Sequence, residues 1–368
     1  MKYMNKYDYD FFPEWRNENY YFFLDDLRKY PDCWCYVVWS RRGSGKTYSA
    51  LRSAYENGIT IAYMKRTIED VNIVCTNSDG FDLSPYVPIN RDCGTHIKPK
   101  LIKKGIGGVY EDCDEKGNPI GAPISYILAL NCMKKVKGIE LSNCDWVLLD
   151  EFIPQAGEII RQAEGEMLLD MYMTILRDRV KRGNDHTKLI LFANSENIST
   201  PITNELEIID DMIDLIASGQ THKEIKDRGI MLHFITNEEI PYTEEELQGG
   251  IFSAMRNTSW GNKAFGGEFV HNDFTNIGRD RMKNYIPLSA FRYKNQEYYI
   301  WRNEEKVVIN RAKGNVPKIY DLNKDSDKNM FYLDWVISLK DDTINDYVKY
   351  SSYVIYDLIM NYKKIMGV

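Results

Sequence analysis

A short loop that contains two glycines follows directly after a wholly apolar segment, and this junction constrains the fold more than any other part of the chain. The apolar segment is Trp34–Trp39, and the loop reads Ser40-Arg41-Arg42-Gly43-Ser44-Gly45-Lys46-Thr47. A helix is predicted from Lys46 to about Asn57, and a second buried strand at Ile59–Met64. This order of strand, loop, helix and strand predicts an α/β fold with a mostly parallel sheet that is covered on both faces.

The loop has the composition of a phosphate-binding site. Successive backbone N–H groups between a strand and a helix can cradle phosphates, and the N-terminus of the helix adds a partial positive charge. Lys46 can then reach the β- and γ-phosphates of a nucleotide, while the Thr47 hydroxyl can ligate Mg²⁺. Ser40 stands where phosphate-binding loops of the form G-x-x-x-x-G-K-[ST] have their first glycine, and a small residue is sufficient at that position. We therefore predict that ATP contacts the loop at Ser40, Arg41, Arg42, Gly43, Ser44, Gly45, Lys46 and Thr47.

Two adjacent carboxylates end another apolar segment farther along the chain, in Asp145-Trp146-Val147-Leu148-Leu149-Asp150-Glu151. Open α/β sheets place ligands at the carboxyl ends of their strands, so Asp150 is expected to hold Mg²⁺ through water. Glu151 is expected to orient and polarise an attacking water molecule. Together with Lys46 and Thr47, this pair predicts an enzyme that hydrolyses Mg-ATP.

Three further residues have both a functional and a structural interpretation. Asn194 ends the predicted strand Lys188–Asn194, where its amide could contact the γ-phosphate or the attacking water, or could simply cap a turn. Arg177 and Arg179 lie near the end of a helix predicted at Gly165–Arg182. Either arginine could complete the active site of a neighbouring copy and stabilise transition-state charge, or both could be part of a solvated, charged helix end.

These residues together resemble the ASCE division of P-loop ATPases, and more narrowly the DNA-packaging ATPases of small short-tailed bacteriophages, which are related to terminase large subunits. The segments that carry the resemblance are Arg41–Thr47, Ile61–Arg66, Leu148–Phe152 and Leu191–Ser195. It covers about residues 30–240 in order, and the C-terminal region more loosely. The resemblance implies an ATPase in which Lys46, Thr47, Asp150 and Glu151 are catalytic, Asn194 couples hydrolysis to movement, and Arg177 acts in trans.

The same resemblance implies the partners of the protein. They are double-stranded DNA, a capsid portal and further copies of the chain in a homomeric ring, with a pentamer favoured and a structural RNA left open. Lys137, with Lys134 before it, matches a basic loop implicated in contacts with DNA or between subunits. The implied location is the cytoplasm of an infected bacterial host, where the protein docks transiently on the capsid.

Composition and charge divide the chain into three parts. We predict a P-loop ATPase domain with a helical lead-in at 1–215, an acidic linker or small subdomain at 216–250, and an α+β domain at 251–368. Residues 203–246 contain twelve acidic and three basic residues, whereas residues 278–318 contain ten basic and four acidic ones. The excess of basic residues favours a polyanionic partner for the last domain, although the net charge of the chain is −7.

Secondary structure in the C-terminal part is predicted as a β-meander at Ala290–Tyr293, Glu297–Trp301 and Lys306–Asn310, with a final helix from about Ile344 to Ile365. The resemblance to terminases implies an RNase-H-like nuclease fold here. Such a nuclease needs clustered carboxylates to hold two metal ions, but the meander strands are basic and aromatic. We therefore expect a vestigial nuclease fold that binds nucleic acid or the portal and does not cleave DNA.

Other classes of function fit the sequence less well. No apolar run approaches the length of a membrane span, and seven scattered cysteines fit reduced thiols in a cytosolic protein. Cys93-Gly94-Thr95-His96 resembles half of a zinc site, but no second pair has ligand spacing. A helicase or a conjugation-type DNA pump remains the main alternative to a packaging motor. A small-molecule kinase with the same loop would gain nothing from a carboxylate placed to activate water.

Overall fold

The computed structural model describes residues 9, 12–76, 82–114, 118–132, 141–154, 158, 160–183, 186–194, 197–255, 257–258, 261, 274–278 and 282–368. The chain forms two compact units. The first unit comprises residues 1–206 and 211–270, and the second comprises residues 207–210 and 271–368. In the described part of the chain, no helix is both long and apolar enough to cross a membrane.

The first unit is built on a nine-stranded mixed sheet in the order β10-β11-β1-β9-β8-β2-β7-β4-β3. Its strands are β1 (Cys35–Ser40), β2 (Ile61–Lys65), β3 (Lys98–Lys103), β4 (Ile106–Tyr110), β7 (Ser125–Ala129), β8 (Trp146–Asp150), β9 (Lys188–Asn194), β10 (His222–Ile225) and β11 (Ile230–Phe234), and a separate small hairpin holds β5 (Asp112–Cys113) and β6 (Pro119–Ile120). The six strands from β11 to β7 run parallel, and β10, β4 and β3 add antiparallel pairs at the two sides.

The central strands are buried on both faces. Every residue of β1 is buried, and so are the first four residues of β8. Continuous apolar runs of this kind form strands because alternate side chains pack against helices on opposite faces of a parallel sheet. Phe23 of the lead-in packs edge-on against Tyr36, Trp146 and Phe192, so the N-terminal segment seals one face of the sheet.

Helices occupy both the connections of the first unit and the end of the second. They are α1 (Phe23–Lys29), α2 (Lys46–Glu56), α3 (Ile68–Cys75), α4 (Val87–Cys93), α5 (Glu164–Lys181), α6 (Pro201–Glu205), α7 (Ile209–Ala217), α8 (Glu244–Gln248), α9 (Gly250–Met255), α10 (Asp325–Phe331), α11 (Ile337–Ile344), α12 (Tyr353–Met360) and α13 (Tyr362–Met366), with a 3₁₀ turn at Leu130–Cys132 and a π-helical turn at Tyr332–Val336. Helix α2 begins directly after the glycine-containing loop, and α5 spans the connection from β8 to β9.

The second unit has a five-stranded sheet in the order β15-β12-β13-β14-β16. Its strands are β12 (Ile286–Tyr293), β13 (Gln296–Arg302), β14 (Val307–Asn310), β15 (Ile319–Asp321) and β16 (Val348–Tyr350). The first three strands form the predicted antiparallel meander, and β15 and β16 add parallel pairs at its two sides. Phe291, Ile300 and Phe331 lie at the centre of a separate core between this sheet and the helices α10 to α13.

The structure differs from the sequence predictions in three places. Residues 216–250, predicted as a linker or small subdomain, belong to the first unit, where β10 and β11 join the main sheet through the pairing of β11 with β1. Residues 344–365, predicted as one helix, contain strand β16 and two short helices, because Val348 and Tyr350 pair with β14. The sequence also predicts strand-like segments at Ile97–Ile102 and Ile120–Leu130 that pair as hairpins, but in the structure the two do not pair with each other, since β4 lies between β3 and β7.

Candidate nucleotide site at the carboxyl edge of the sheet

Strand order brings the two sequence signals to one edge of the first sheet. Strand β9 lies between β1, which leads into the loop, and β8, which ends in Asp150. The register places Ser40 beside Asn194 and Asp150 beside Phe192. Because β1, β9 and β8 are parallel, their carboxyl ends meet at this edge, where α/β sheets place their ligands.

The loop between β1 and α2 is shaped by two glycines. Gly43 and Gly45 have φ values of +77° and +87°, in the left-handed region that glycine adopts without strain. A side chain at Gly45 would also press on Tyr20, because a Cβ there would lie 3.2 Å from the Tyr20 Cβ. The backbone N–H of Tyr21 donates to the Ser44 carbonyl oxygen at 2.9 Å, so the lead-in segment supports the loop directly.

Lys46 is buried at the start of α2 and is held by the loop itself. Its ammonium group donates to the hydroxyls of Ser40 and Ser44 and, at 3.3 Å, to the Arg41 carbonyl oxygen. The pKa of Lys46 is lowered to about 8, chiefly because the ammonium is buried; Asp150 opposes this shift and the nearby Arg41 adds to it. A buried ammonium among neutral oxygens is ready to pair with an anionic phosphate.

Thr47 and Asp150 meet across the site although 103 positions separate them in the sequence. The Thr47 hydroxyl donates to Asp150 Oδ2 at 3.0 Å, and the Tyr63 hydroxyl donates to the same oxygen at 3.0 Å. Adjacent oxygen ligands of an octahedral Mg²⁺ ion, each about 2.1 Å from the metal, lie about 3 Å apart. The donor types and their separation therefore fit the predicted magnesium site.

Glu151 follows β8 in a backbone conformation that side chains rarely adopt. Its φ value is +60°, and 47% of its side chain is exposed. Lys65, at the end of the neighbouring strand β2, lies 3.9 Å from the Glu151 carboxylate and 3.7 Å from that of Asp150. Strained backbone is concentrated at functional sites, and here it projects an open carboxylate beyond the strand end.

Arg41 and Arg42 differ in environment although both belong to the loop. The Arg41 guanidinium is buried 3.7 Å from the centre of the Tyr242 ring and donates to the carbonyl oxygens of Ile240 and Pro241. Arg42 is exposed. Arg41 is therefore expected to contact a nucleotide through its backbone, whereas the Arg42 side chain is accessible to one. Asn194 is half-buried beside Ser40, between the loop and the end of β8.

The two arginines on α5 are separated by the structure. Arg179 is buried, and its guanidinium forms a 2.7 Å ion pair with Asp145 and donates to the Ser142 carbonyl oxygen. Asp145 directly precedes β8, so this pair lies at the amino edge of the sheet. Arg177 is exposed and makes no hydrogen bond or ion pair within the described part of the chain. Of the two, Arg177 is therefore the one that is free to act on another molecule.

Some predicted residues lie elsewhere, and some site residues were not predicted. Lys134 and Lys137 fall outside the described residues. Tyr63 and Lys65 on β2 contact Asp150, and neither has a role predicted from the sequence; Lys65 ends a buried strand, as Asp150 does, whereas Tyr63 lies within the strand and carries no such signal. Among the described residues, neither Cys93 nor His96 belongs to a group of three potential metal ligands.

Comparisons with known proteins support the fold. No protein-family model matches the chain, and no significant match is found among curated proteins. The chain is similar to a solved structure described as "The Phi-28 gp11 DNA packaging Motor", with 15% identity and a TM-score of 0.59 over 96% of this chain and 99% of that one. It is also similar to "The bacteriophage Phi-29 viral genome packaging motor assembly", with 15% identity and a TM-score of 0.62 over 94% of this chain and 99% of that one. The resemblance to phage DNA-packaging ATPases is thus confirmed at the level of the fold.

Proposed function

We propose that this protein is an ATP-driven motor that translocates double-stranded viral DNA into a preformed capsid. The observation that carries the proposal is the contact between Thr47 and Asp150, next to the buried Lys46, in a chain whose fold matches phage packaging motors over nearly its whole length. The position of β9 between β1 and β8 supports an ASCE-type P-loop ATPase.

Each residue of the site has a defined task in hydrolysis. The backbone N–H groups of the loop and the Lys46 ammonium bind the phosphates, and Thr47 and Asp150 hold Mg²⁺ directly or through water. When bound, the Mg²⁺ ion neutralises charge that develops on the phosphates. Glu151 accepts a hydrogen bond from the attacking water and orients it, while Asn194, between this carboxylate and the loop, senses the γ-phosphate.

The position of Arg177 supports assembly into a ring. Helix α5 begins near the carboxyl edge, where Glu164 pairs with Arg66 just after β2, and it ends at the amino edge, where Arg179 pairs with Asp145. Arg177 is thirteen residues beyond Glu164, which corresponds to about 20 Å along the helix. It therefore lies far from the site of its own chain, which supports a role in the site of a neighbouring copy. We propose a homomeric ring, with a pentamer favoured, that docks on the capsid portal in the host cytoplasm.

The second unit is proposed to bind nucleic acid or the portal through a vestigial nuclease fold. Arg302, Arg311 and Lys313 are exposed on or just after the meander. Contacts from such cations to phosphates are insensitive to base sequence, which a packaging motor requires. Arg292 contributes less, because Glu297 pairs with it at 2.7 Å.

The proposal is tested by measuring ATP turnover of the full chain with and without double-stranded DNA over a range of salt concentrations. We expect duplex DNA to stimulate turnover, with a stimulation that falls steeply as salt rises, because phosphate contacts dominate the grip. A turnover indifferent to DNA would contradict the motor. Separation of the two strands during turnover would instead favour a helicase, the main alternative among DNA-translocating ATPases.

A further inference from the structure

Three side chains from separate parts of the first unit bring metal-ligating atoms together away from the nucleotide site. Asp26 lies on α1, His222 on β10 and His233 on β11, and one ligand atom of each lies within 4.8 Å of the others. Asp26 Oδ2 is 2.8 Å from His233 Nδ1, and Asp26 Oδ1 is 3.2 Å from His222 Nε2. In the part of the chain that the structure describes, this is the single group of three such residues.

The remaining nitrogen of each imidazole has an oxygen partner. His233 Nε2 lies 3.0 Å from both carboxylate oxygens of Glu239, and His222 Nδ1 lies 2.8 Å from the Thr221 hydroxyl. Histidines that bind a metal nearly always donate their other ring N–H to a carboxylate, a carbonyl or another oxygen, which fixes the tautomer and the ring orientation. The cluster thus has both the inward ligand atoms and the outer hydrogen bonds of a metal site.

Burial and space favour a specific kind of ion. Asp26 and His233 are buried, and a cavity of about 330 Å³ borders Asp26, His222, His233 and Glu239, which leaves room for a water ligand. Two imidazole nitrogens, one carboxylate oxygen and a water form a donor set typical of Zn²⁺. Ligand atoms of a tetrahedral Zn²⁺ ion lie about 3.4 Å apart, and the distances of 2.8 and 3.2 Å from Asp26 to the two histidine nitrogens are close to this value. We propose that Asp26, His222 and His233 bind Zn²⁺.

The competing interpretation is a metal-free ion pair. Burial lowers the pKa of His233, but the Asp26 and Glu239 carboxylates outweigh this effect and raise the pKa to about 9. An ion pair between Asp26 and His233 does not require a second imidazole. His222 nevertheless faces the same carboxylate, with its ring centroid 3.7 Å from that of His233. A shared metal ion accounts for the approach of both imidazoles to one carboxylate, and its binding would move the stacked rings apart to a centroid separation of about 5 Å.

A bound ion would also stabilise the phosphate-binding loop, because Tyr21 connects Asp26 to it. Tyr21 donates its hydroxyl to Asp26 Oδ2 at 2.6 Å, and its backbone N–H donates to the Ser44 carbonyl oxygen. Fixing Asp26 therefore fixes Tyr21 and, through it, the loop. This proposal does not rest on the proposed function, because the ligand set is separate from the residues assigned to ATP.

The test is Zn²⁺ binding to the full chain, measured by competition with a chelator in excess Mg²⁺ and without nucleotide. We expect about one tightly bound Zn²⁺ per chain in the wild type. His222→Ala should abolish this binding, while Glu239→Gln should weaken it by roughly 10–100-fold, as expected for an outer hydrogen-bonding partner. His96→Ala is the matched control, since His96 is exposed and lies outside the cluster, and it should bind Zn²⁺ like the wild type.

A thermal unfolding series guards against misfolded variants. Zn²⁺ should raise the Tm of the wild type and of His96→Ala but not that of His222→Ala, because only a folded site that binds the ion is stabilised by it. Absence of Zn²⁺ binding by the wild type, or equal binding by wild type and His222→Ala, would overturn the proposal and leave the cluster as an ion pair. Loss of binding in His96→Ala alone would also overturn it.

Discussion

The carboxyl and amino edges of the nine-stranded sheet differ in the burial and hydrogen bonding of their charged residues. At the amino edge, Asp145 is fully buried and accepts hydrogen bonds from Arg179 and from the Thr60 N–H, while Lys188 donates to two carbonyl oxygens. At the carboxyl edge, Glu151 is half exposed on a strained backbone. Satisfied polar groups stabilise the sheet at one edge, whereas the other edge keeps reactive groups open to a ligand. We infer from this difference that the residues of the amino edge serve folding and propose that those of the carboxyl edge serve chemistry.

The contrast predicts that a change at the open edge removes activity and leaves the fold intact. Glu151→Gln keeps the size of the side chain but loses the carboxylate that we propose orients water, so we expect kcat for ATP hydrolysis to fall by roughly 10²–10⁴-fold. Nucleotide affinity and the unfolding midpoint should stay unchanged. The matched control is Glu166→Gln, an exposed position on α5. Similar turnover in both variants would remove Glu151 from the mechanism.

A change at the closed edge should do the reverse. Arg179→Met leaves the Asp145 carboxylate buried without its cation, which typically costs about 3–5 kcal/mol of unfolding free energy. Denaturant unfolding should show this loss, while ATP turnover of the remaining folded protein is preserved. Arg182→Met changes an exposed arginine a few residues away and should have little effect. An unchanged midpoint for Arg179→Met would show that the amino edge is not a structural anchor.

Lys46 is the exception at the open edge, because it is buried. Its burial should be detectable as a pH dependence of nucleotide affinity. Its pKa of about 8 means that the ammonium loses its proton as pH rises above that value, whereas bound phosphates favour the charged form. Nucleotide binding must then take up a proton, so affinity should fall by up to about tenfold per pH unit above pH 8. Lys46→Arg, which stays charged, should lack this slope. An equal slope in both proteins would assign it to another group.

The smallest expected effect measures the strain stored at the open edge. Glycine adopts the positive φ of Glu151 freely, so Glu151→Gly should raise the unfolding free energy by about 1 kcal/mol even though it removes activity. Glu238→Gly, at an exposed position with ordinary φ, should not stabilise the protein. Destabilisation by Glu151→Gly would mean that the side chain contributes more to stability than its backbone costs.

The sequence predicts the central strands well, because β1, β8 and β9 are short apolar runs that end in polar motifs. It predicts less where tertiary contacts override local pattern. Strand β4 contains Gly107 and Gly108, although glycine weakens the interior of a strand. A Cβ at Gly107 would collide with the Cys75 sulfur, so the glycine permits close packing of β4. Strand β10 lies at the outer side of the sheet, where its side chains are mostly polar and partly exposed. It therefore lacks the apolar run that would distinguish a strand from the acidic segment around it.

Some site residues can likewise be predicted from short motifs, whereas others are brought together only by the folded structure. Lys46 and Asp150 belong to motifs that can be read within a few residues. The cluster of Asp26, His222 and His233 cannot, because about two hundred positions separate the aspartate from the histidines and only the pairing of β10 with β11 brings the two rings together. Likewise, Arg177 and Arg179 are equivalent in sequence, and only packing distinguishes the exposed residue from the buried one.

Completion of the open edge by Arg177 of a neighbouring copy is the main mechanistic proposal for this protein. It is tested most directly by measuring ATP turnover per chain over a wide range of protein concentration, for the wild type and for Arg177→Ala, in the presence of duplex DNA. We expect turnover per chain to rise with concentration in the wild type, as copies assemble, and to stay at the low level of the isolated chain in Arg177→Ala. A wild-type turnover that is independent of concentration and equal to that of Arg177→Ala would contradict it.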